Sequence, residues 1–326
     1  MEYELVKAFY SEGISIKFTC KILKLNRSSY YKWLKRSESK QDIENIEIYK
    51  FIKQKQEEYK YIFGYRIMCA MVNREFCANY NPKRIYRIMK ISNLQAKIRK
   101  SSKPKYIRST PEVVAQNIMN RDFSTNLPNE KWCCDVTEFK ISSTGLKLYL
   151  AAIIDLFDNT IVGYQISERN DNILVFDAYR EAINNNPNSK AMFHSDRGYQ
   201  FTSKAFKRML EDQNMVQSMS RVGRCIDNGP IEKFWAILKT EMVDYNKANS
   251  ISELKDYIIE HIYFYNNIRL QPRFNYKTPI EVRNEALDQI KNNLVVVTYP
   301  IVPNPKVVKY WENIDRKNNI TQTTCV

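Results

Sequence analysis

Apolar and polar positions follow two different rhythms along this chain, and the change falls near residue 130. Up to about residue 100 the period is helical. Residues 1–38 read as three short helices, Tyr3–Tyr10, Ser15–Leu23 and Ser28–Lys35, with a turn at Lys24-Leu25-Asn26 and with Asn26 and Ser28 both suited to cap the last. A tight turn between two short helices, the second exposing Arg27, Tyr30, Tyr31, Lys32 and Lys35, has the form of a helix-turn-helix. A linker rich in Ser, Glu and Lys (36–42) leads to a second helical stretch, 43–100. Within it NPKRIYRIMK (81–90) places Pro82 in a first turn and turns Ile85, Ile88 and Met89 inward, leaving Lys83, Arg84, Arg87 and Lys90 largely on the other side. The basic, Pro-interrupted run KIRKSSKPKYIRSTPE opens a linker over 101–124.

From Glu130 the period shortens to two. KWCCDVTEFKI, LKLYLAAIIDLF and TIVGYQIS are three apolar runs joined by Ser143-Thr144-Gly145 and Asp158-Asn159, which predicts an antiparallel meander. A helix (Ile173–Ile183), a strand (Lys190–Phe193), a helix (Lys204–Glu211), a strand near Met215–Ser220 and a long helix from about Pro230 follow. That order predicts an α/β, ribonuclease-H-like domain over 125–285: a mixed five-stranded sheet with helices, preceded by an all-α region. LVVVTYPIVP in the tail (286–326) could add a strand but has no evident place.

Composition sharpens this picture at three points. The 326 residues, 44% hydrophobic and 13% aromatic, suit two or three globular units, and only 7 Gly argue against a Gly-rich phosphate cradle. No apolar run approaches the roughly eighteen residues of a membrane span, and no signal-peptide pattern opens the chain, so a cytosolic protein without a membrane partner is expected. Seven scattered cysteines and two histidines suit reduced thiols and argue against a structural zinc site. Charge adds a fourth point. Residues 1–110 hold 25 Lys and Arg against 10 Asp and Glu, whereas residues 111–326 hold 26 of each, so the whole surplus of +15 is N-terminal. A basic half joined to a neutral half points to nucleic acid, with the helix-turn-helix entering a major groove.

The neutral half carries the chemistry. Asp135 lies inside the first strand, where Asp is depleted, on one face with Cys133, Thr137 and Phe139. Asp155 ends the second strand and reads as structural, with Arg169 among its available partners. Asp196 directly follows the fourth strand, at the carboxyl end of a sheet strand, where ligands of open α/β sheets bind, and Gly198 lets the chain turn there. His194 reads as a packed or hydrogen-bonded neighbour. Glu232 sits in the first turn of a helix announced by Asn228-Gly229-Pro230, with Lys239 nearly in line seven residues on; alone, each has an ordinary surface explanation. Together a strand Asp, an Asp after strand four and a helix Glu can converge at one sheet edge. Three carboxylates there repel unless cations join them, and hard oxygen donors select two Mg²⁺ or Mn²⁺ ions, the pair that serves phosphodiester chemistry.

WCCDVTEF, HSDRGYQFTS and DNGPIEKFWAILKTE, with thirty-five residues between Asp196 and Glu232, resemble the catalytic core of DDE transposases of the insertion-sequence IS3 family, in particular the product of its second reading frame. YNNIRLQPRFNYKTPIE resembles a downstream block of that family, with Gln271 where His is frequent and Phe274 where Leu is usual. The resemblance covers about 1–285. It implies that Asp135, Asp196 and Glu232 bind two Mg²⁺ (or Mn²⁺) ions and that water cleaves the donor strand before the freed 3′-OH attacks a target, by a copy-out–paste-in route through a circle. It further implies double-stranded DNA as partner, both terminal inverted repeats and target. Lys239 would touch DNA near the scissile phosphate, with Arg27, Tyr31, Lys32, Lys83, Arg84, Arg87, Arg221 and Arg224 as further contacts. A homo-oligomer on DNA, pairing with the upstream reading-frame product, and a bacterial cytoplasmic, nucleoid-associated setting are also implied. Two other readings stand beside it: another integrase-like or ribonuclease-H-like nuclease, and a catalytically inert DNA-binding regulator.

Overall fold

A computed structural model describes residues 2–35, 39–97, 115–141, 145–221, 225–242 and 248–299, which fall into two compact units divided between Ala96 and Lys97. Arg224 and residues 300–303 of the apolar tail run lie outside the described residues.

The first unit is all helical. Helices α1 (Glu2–Ser11), α2 (Ile16–Ile22) and α3 (Arg27–Leu34) begin at the predicted punctuation: the Ser15 hydroxyl accepts from the Phe18 N–H and the Asn26 side chain from the Ser28 N–H. They close over Val6, Cys20 and Tyr30. Tyr30 therefore does not join the exposed face of α3 as expected; it is 1% exposed and stacked on Trp33, because three short helices need an aromatic filler at their centre. A Ser39–Asp42 capping box starts α4 (Lys40–Glu58) inside the stretch read as linker. Helices α5 (Tyr65–Glu75) and α6 (Pro82–Ile91) pack on it through Met68, Cys69, Val72, Ile85, Ile88 and Met89, and the buried Gln56 amide donates to the carbonyls of Phe63 and Leu94.

The second unit is built on the sheet. Strands β1 (Lys131–Lys140), β2 (Lys147–Asp155) and β3 (Ile161–Ser167) form the meander, and β4 (Met192–Ser195) and β5 (Gln217–Met219) extend it in parallel, in the order β3-β2-β1-β4-β5. Side chains alternate between two cores. Trp132, Cys134, Ala151, Ile153 and Phe193 face α7 (Asn172–Asn185) and α8 (Lys204–Asp212), while Cys133, Phe139, Leu150, Ala152 and Ile154 face α9 (Gly229–Glu241) and α10 (Ile251–Asn267). At Gly163 the α7 backbone comes so close that a Cβ would stand 2.5 Å from the Ala178 carbonyl oxygen.

The block from Tyr265 onward clamps the β2–β3 hairpin. The Asn266 amide pairs with both backbone groups of Ile161, Gln271 accepts from Asn159, and Phe274 is fully buried against Phe157 and α11 (Pro279–Lys291). Asp155 is buried and structural, but its cation is Arg283, not Arg169. Arg283 donates to Asp155 (3.1 Å), Asp158 (2.7 Å), Asn129 (2.6 Å) and Asn186, so α11 is tied to the end of β2. Arg169 remains exposed. Residues 294–299 form no strand; Val296 and Tyr299 instead pack against the Phe157–Phe274 cluster.

Candidate active site

Parallel pairing of β1 with β4 ends at Cys134 and Ser195, so Asp135, halfway along β1, and Asp196, in the loop leaving β4, are each one residue beyond the last matched pair. Asp135 lies on the face covered by α9, which docks at two points. The Asn228 amide donates to the Cys134 carbonyl (3.0 Å), and the Trp235 indole N–H donates to Asp135 Oδ2 (2.9 Å). Glu232 lies one turn from each anchor, on the stretch of α9 held against β1.

Electrostatics register the meeting. Burial, then the charge of Asp196 and, more weakly, of Glu232, push the Asp135 carboxyl up to about 7, although bonds from Trp235 and the Val136 N–H oppose this. Asp196, at the solvent side of its loop, is also raised by desolvation, against a hydrogen bond from the Gly198 N–H (2.8 Å). Desolvation and Asp196 raise Glu232 to about 7. Gly198 serves this loop by its size rather than by a left-handed turn: a Cβ would meet Asp196 Oδ1 at 3.0 Å and Gln200 Oε1 at 3.1 Å.

Among the described residues no three His, Cys, Asp or Glu side chains are gathered tightly enough to hold one ion as they stand. The donor set is nonetheless of one kind, three carboxylates whose mutual repulsion a hard divalent cation would relieve, without thiol or imidazole to favour zinc. His194, beside Asp196, is spoken for. It is fully buried between the hydroxyls of Ser218 (2.9 Å) and Ser220 (3.2 Å), and burial holds it near 4, so it is a neutral packing residue.

Lys239 lies on the same side of the sheet as Asp135. Its ammonium donates to the Glu138 carbonyl (3.1 Å) and sits over the Phe139 ring (5.2 Å); desolvation lowers its pKa against the charges of Asp135 and Glu138. It is not an ion-pair partner of Glu232.

Three contributors escaped sequence reasoning. Asp227, fully buried, accepts from Arg121 (2.7 Å), Asn117 (2.9 Å) and the Arg221 guanidinium and backbone (2.8–3.1 Å), anchoring the turn that leads into α9. Asn228 and Trp235 are the others; a buried indole needs an acceptor, which was the available signal. Arg221 is thus engaged within the site's scaffold. In the first unit Arg27, Tyr31, Lys32, Lys83 and Arg87 are exposed, whereas Arg84 is drawn to Glu44 (2.9 Å) and Asn45 (2.9 Å) and lies over the Tyr80 ring.

The chain is similar to known proteins. Integrase core domain families match residues 125–225 and 232–287, and an HTH-like domain family matches 42–102. The putative transposase InsK of insertion sequence element IS150 from Escherichia coli is 36% identical over 261 residues, covering 80% of this chain and 90% of that protein. The chain belongs to the IS3 family of transposases. Within that family it is also similar to the transposase InsF of insertion sequence IS3fB from Escherichia coli, 28% identical over 74% of this chain and 84% of that one. An uncharacterized 31 kDa protein of insertion element IS600 from Shigella sonnei is 30% identical over 82% of this chain and 97% of that one. Among solved structures, the HTLV-2 integrase catalytic core domain in complex with magnesium has a TM-score of 0.39 at 20% identity, covering 48% of this chain and 97% of that one. No helix among the described residues is long and apolar enough to cross a membrane.

Proposed function

We propose that this transposase cleaves DNA strands at the ends of an insertion sequence and joins the freed 3′-OH to a target, with Asp135, Asp196 and Glu232 as its catalytic acids. The observation that supports the reading is that the end of the β1–β4 ladder leaves Asp135 and Asp196 on neighbouring strands, while α9, which carries Glu232, bonds Asp135 through Trp235. Asp135 and Asp196 would hold two Mg²⁺ or Mn²⁺ ions with Glu232. Bound there, such ions supply activation of an attacking oxygen and stabilisation of a leaving one.

The chain's own residues do the rest. Asp135 is oriented from both sides, by the Val136 N–H at Oδ1 (2.8 Å) and Trp235 at Oδ2. The Asp196 loop is held by Gly198, and Arg197 donates to the Ser220 carbonyl (2.8 Å), fixing β4 to the β5 exit. Lys239, whose partly desolvated ammonium feels the charge of Asp135, is the proposed contact to a phosphate of the scissile strand. Arg27, Tyr31, Lys32, Lys83 and Arg87 form the outward faces of α3 and α6 and are the proposed contacts to duplex DNA, where phosphate neutralisation supplies affinity. Terminal repeats and target are the proposed partners, with a homo-oligomer on DNA, the upstream reading-frame product as a further partner, and the bacterial nucleoid as the setting.

Nicking of a terminal-repeat duplex in Mg²⁺ by the full chain tests the reading. Asp135→Asn, Asp196→Asn and Glu232→Gln each remove charge with little change of size, so each is expected to abolish nicking and joining while duplex binding persists. Cleavage that survives any of the three overturns the assignment.

A further inference from the structure

We propose that Trp235 is a positioning residue for Asp135, and that its indole reports the arrival of a divalent ion at the site. The inference rests on the reading of Asp135 as a metal-binding acid and deepens it.

Both Asp135 oxygens have fixed donors, the Val136 N–H on Oδ1 (2.8 Å) and the Trp235 N–H on Oδ2 (2.9 Å). One comes from the residue's own strand, the other from the helix that carries Glu232. Each carboxylate oxygen has two lone pairs, so each donor leaves one free and removes the freedom of the group to rotate. The indole is held in turn. Trp235 is 7% exposed, its ring packs against Phe234 with centroids 5.1 Å apart, and it belongs to the core beneath α9. Indole donates only and cannot compete as a ligand, so its effect on the carboxylate is orientation. Because Trp235 lies three residues after Glu232, the same bond also seats the helix. Together with the Asn228 bond to the Cys134 carbonyl, this N–H thus ties the helix that bears Glu232 to the strand that bears Asp135. Phenylalanine would keep most of the packing and lose that donor.

Excitation moves electron density from the pyrrole side of indole to the benzene side, so a carboxylate at the pyrrole nitrogen shifts emission to the red. A cation that neutralises the carboxylate shifts it back to the blue.

The test uses full-length protein without DNA and reads binding rather than activity. Free Mn²⁺, followed by its electron paramagnetic resonance signal, gives ion affinity for wild type, Trp235→Phe and Asp135→Asn, and Mg²⁺ titration of tryptophan emission gives the optical response. Outer hydrogen bonds to a metal ligand typically contribute 10–100-fold in affinity, so Trp235→Phe is expected to bind Mn²⁺ roughly tenfold or more weakly, with its melting temperature measured alongside. Wild-type emission is expected to move to the blue with Mg²⁺, and the wild-type minus Trp235→Phe difference spectrum to carry that shift. Loss of affinity in Asp135→Asn with none in Trp235→Phe overturns the proposal and leaves the metal reading standing. Unchanged affinity in Asp135→Asn overturns the reading, and the proposal with it. Should Trp235→Phe not fold, the wild-type emission decides: a spectrum indifferent to Mg²⁺ at concentrations matching those at which Mn²⁺ binds refutes the proposal.

Discussion

Replacing Asp227 by Asn should loosen the turn that delivers Glu232, and the size of the loss follows from its partners. The side chain is fully buried and takes donors from Arg121, Asn117 and Arg221, which outweigh desolvation and hold its pKa near 2, against an ordinary 3.8. A carboxyl held that far below its ordinary value corresponds to about 2 kcal/mol of folding stability at neutral pH. The folded value lies below the unfolded one, so this contribution is fully present above about pH 5, falls to roughly half by pH 3, and disappears below pH 2. The two arginines are partly exposed, at 25% and 42%, and can turn to water, which keeps the loss from reaching the roughly 3–5 kcal/mol of a fully buried broken pair. With a urea dependence of roughly 2.5 kcal/mol per molar, Asp227→Asn should lower the unfolding midpoint of the catalytic unit by about 1 M at pH 7, and by about half that at pH 3. Equilibrium urea unfolding followed by tryptophan fluorescence measures both. An unchanged midpoint at pH 7, or an equal loss at the two pH values, would refute the argument that Asp227 acts as a buried, charged anchor.

Arg283→Met should destabilise the same unit more, by about 3–5 kcal/mol, because it strands Asp155 and Asp158 in the interior; denaturant unfolding checks this. Gly163→Ala should lower stability by about 1–3 kcal/mol, since the new methyl collides with α7 backbone, and a neutral result by the same assay would contradict the close packing of β3 on α7. In the first unit, the double change Arg27→Ala and Lys32→Ala should make the dependence of log duplex affinity on log salt shallower by roughly 2, at about 0.9 per phosphate contact; an unchanged slope places neither residue on DNA.

Where the sequence was legible, the reason is local. The three meander strands are long and strongly apolar with Gly- and Asn-bearing turns, so period and punctuation agree, and Gly145 (φ 73°) and Asn159 (φ 61°) do adopt the left-handed backbone such turns require. Pro82 and Asn81 start α6 as their residue types dictate. The acids stood out because Asp is misplaced in a strand interior or at its exit. What was not legible depends on distant pairing. Any of many cations could have matched Asp155; the one chosen, Arg283, lies 128 residues away on a helix whose position only the packed fold determines. Tyr30 sits among basic residues and reads as part of a groove-facing surface, yet the contact with Val6 and Cys20 decides its fate. Asp227 was hidden by its neighbours, since Asn228-Gly229-Pro230 explains the helix start without it. Trp235 read as one more core residue because periodicity registers its apolar body and not its N–H.

Strand cleavage by Asp135, Asp196 and Glu232 is tested most directly by one comparison. A labelled terminal-repeat duplex is incubated in Mg²⁺ with wild type, Glu232→Gln and Asp155→Asn, and nicking and binding are measured on the same samples. Wild type should nick to leave a 3′-OH and lose that activity in EDTA. Glu232→Gln should bind the duplex as well as wild type without cutting it, and Asp155→Asn, which removes an equally acidic but structural side chain, should still cut in whatever fraction folds. Nicking by Glu232→Gln above a few per cent of wild type, or full wild-type activity in EDTA, would contradict the claim.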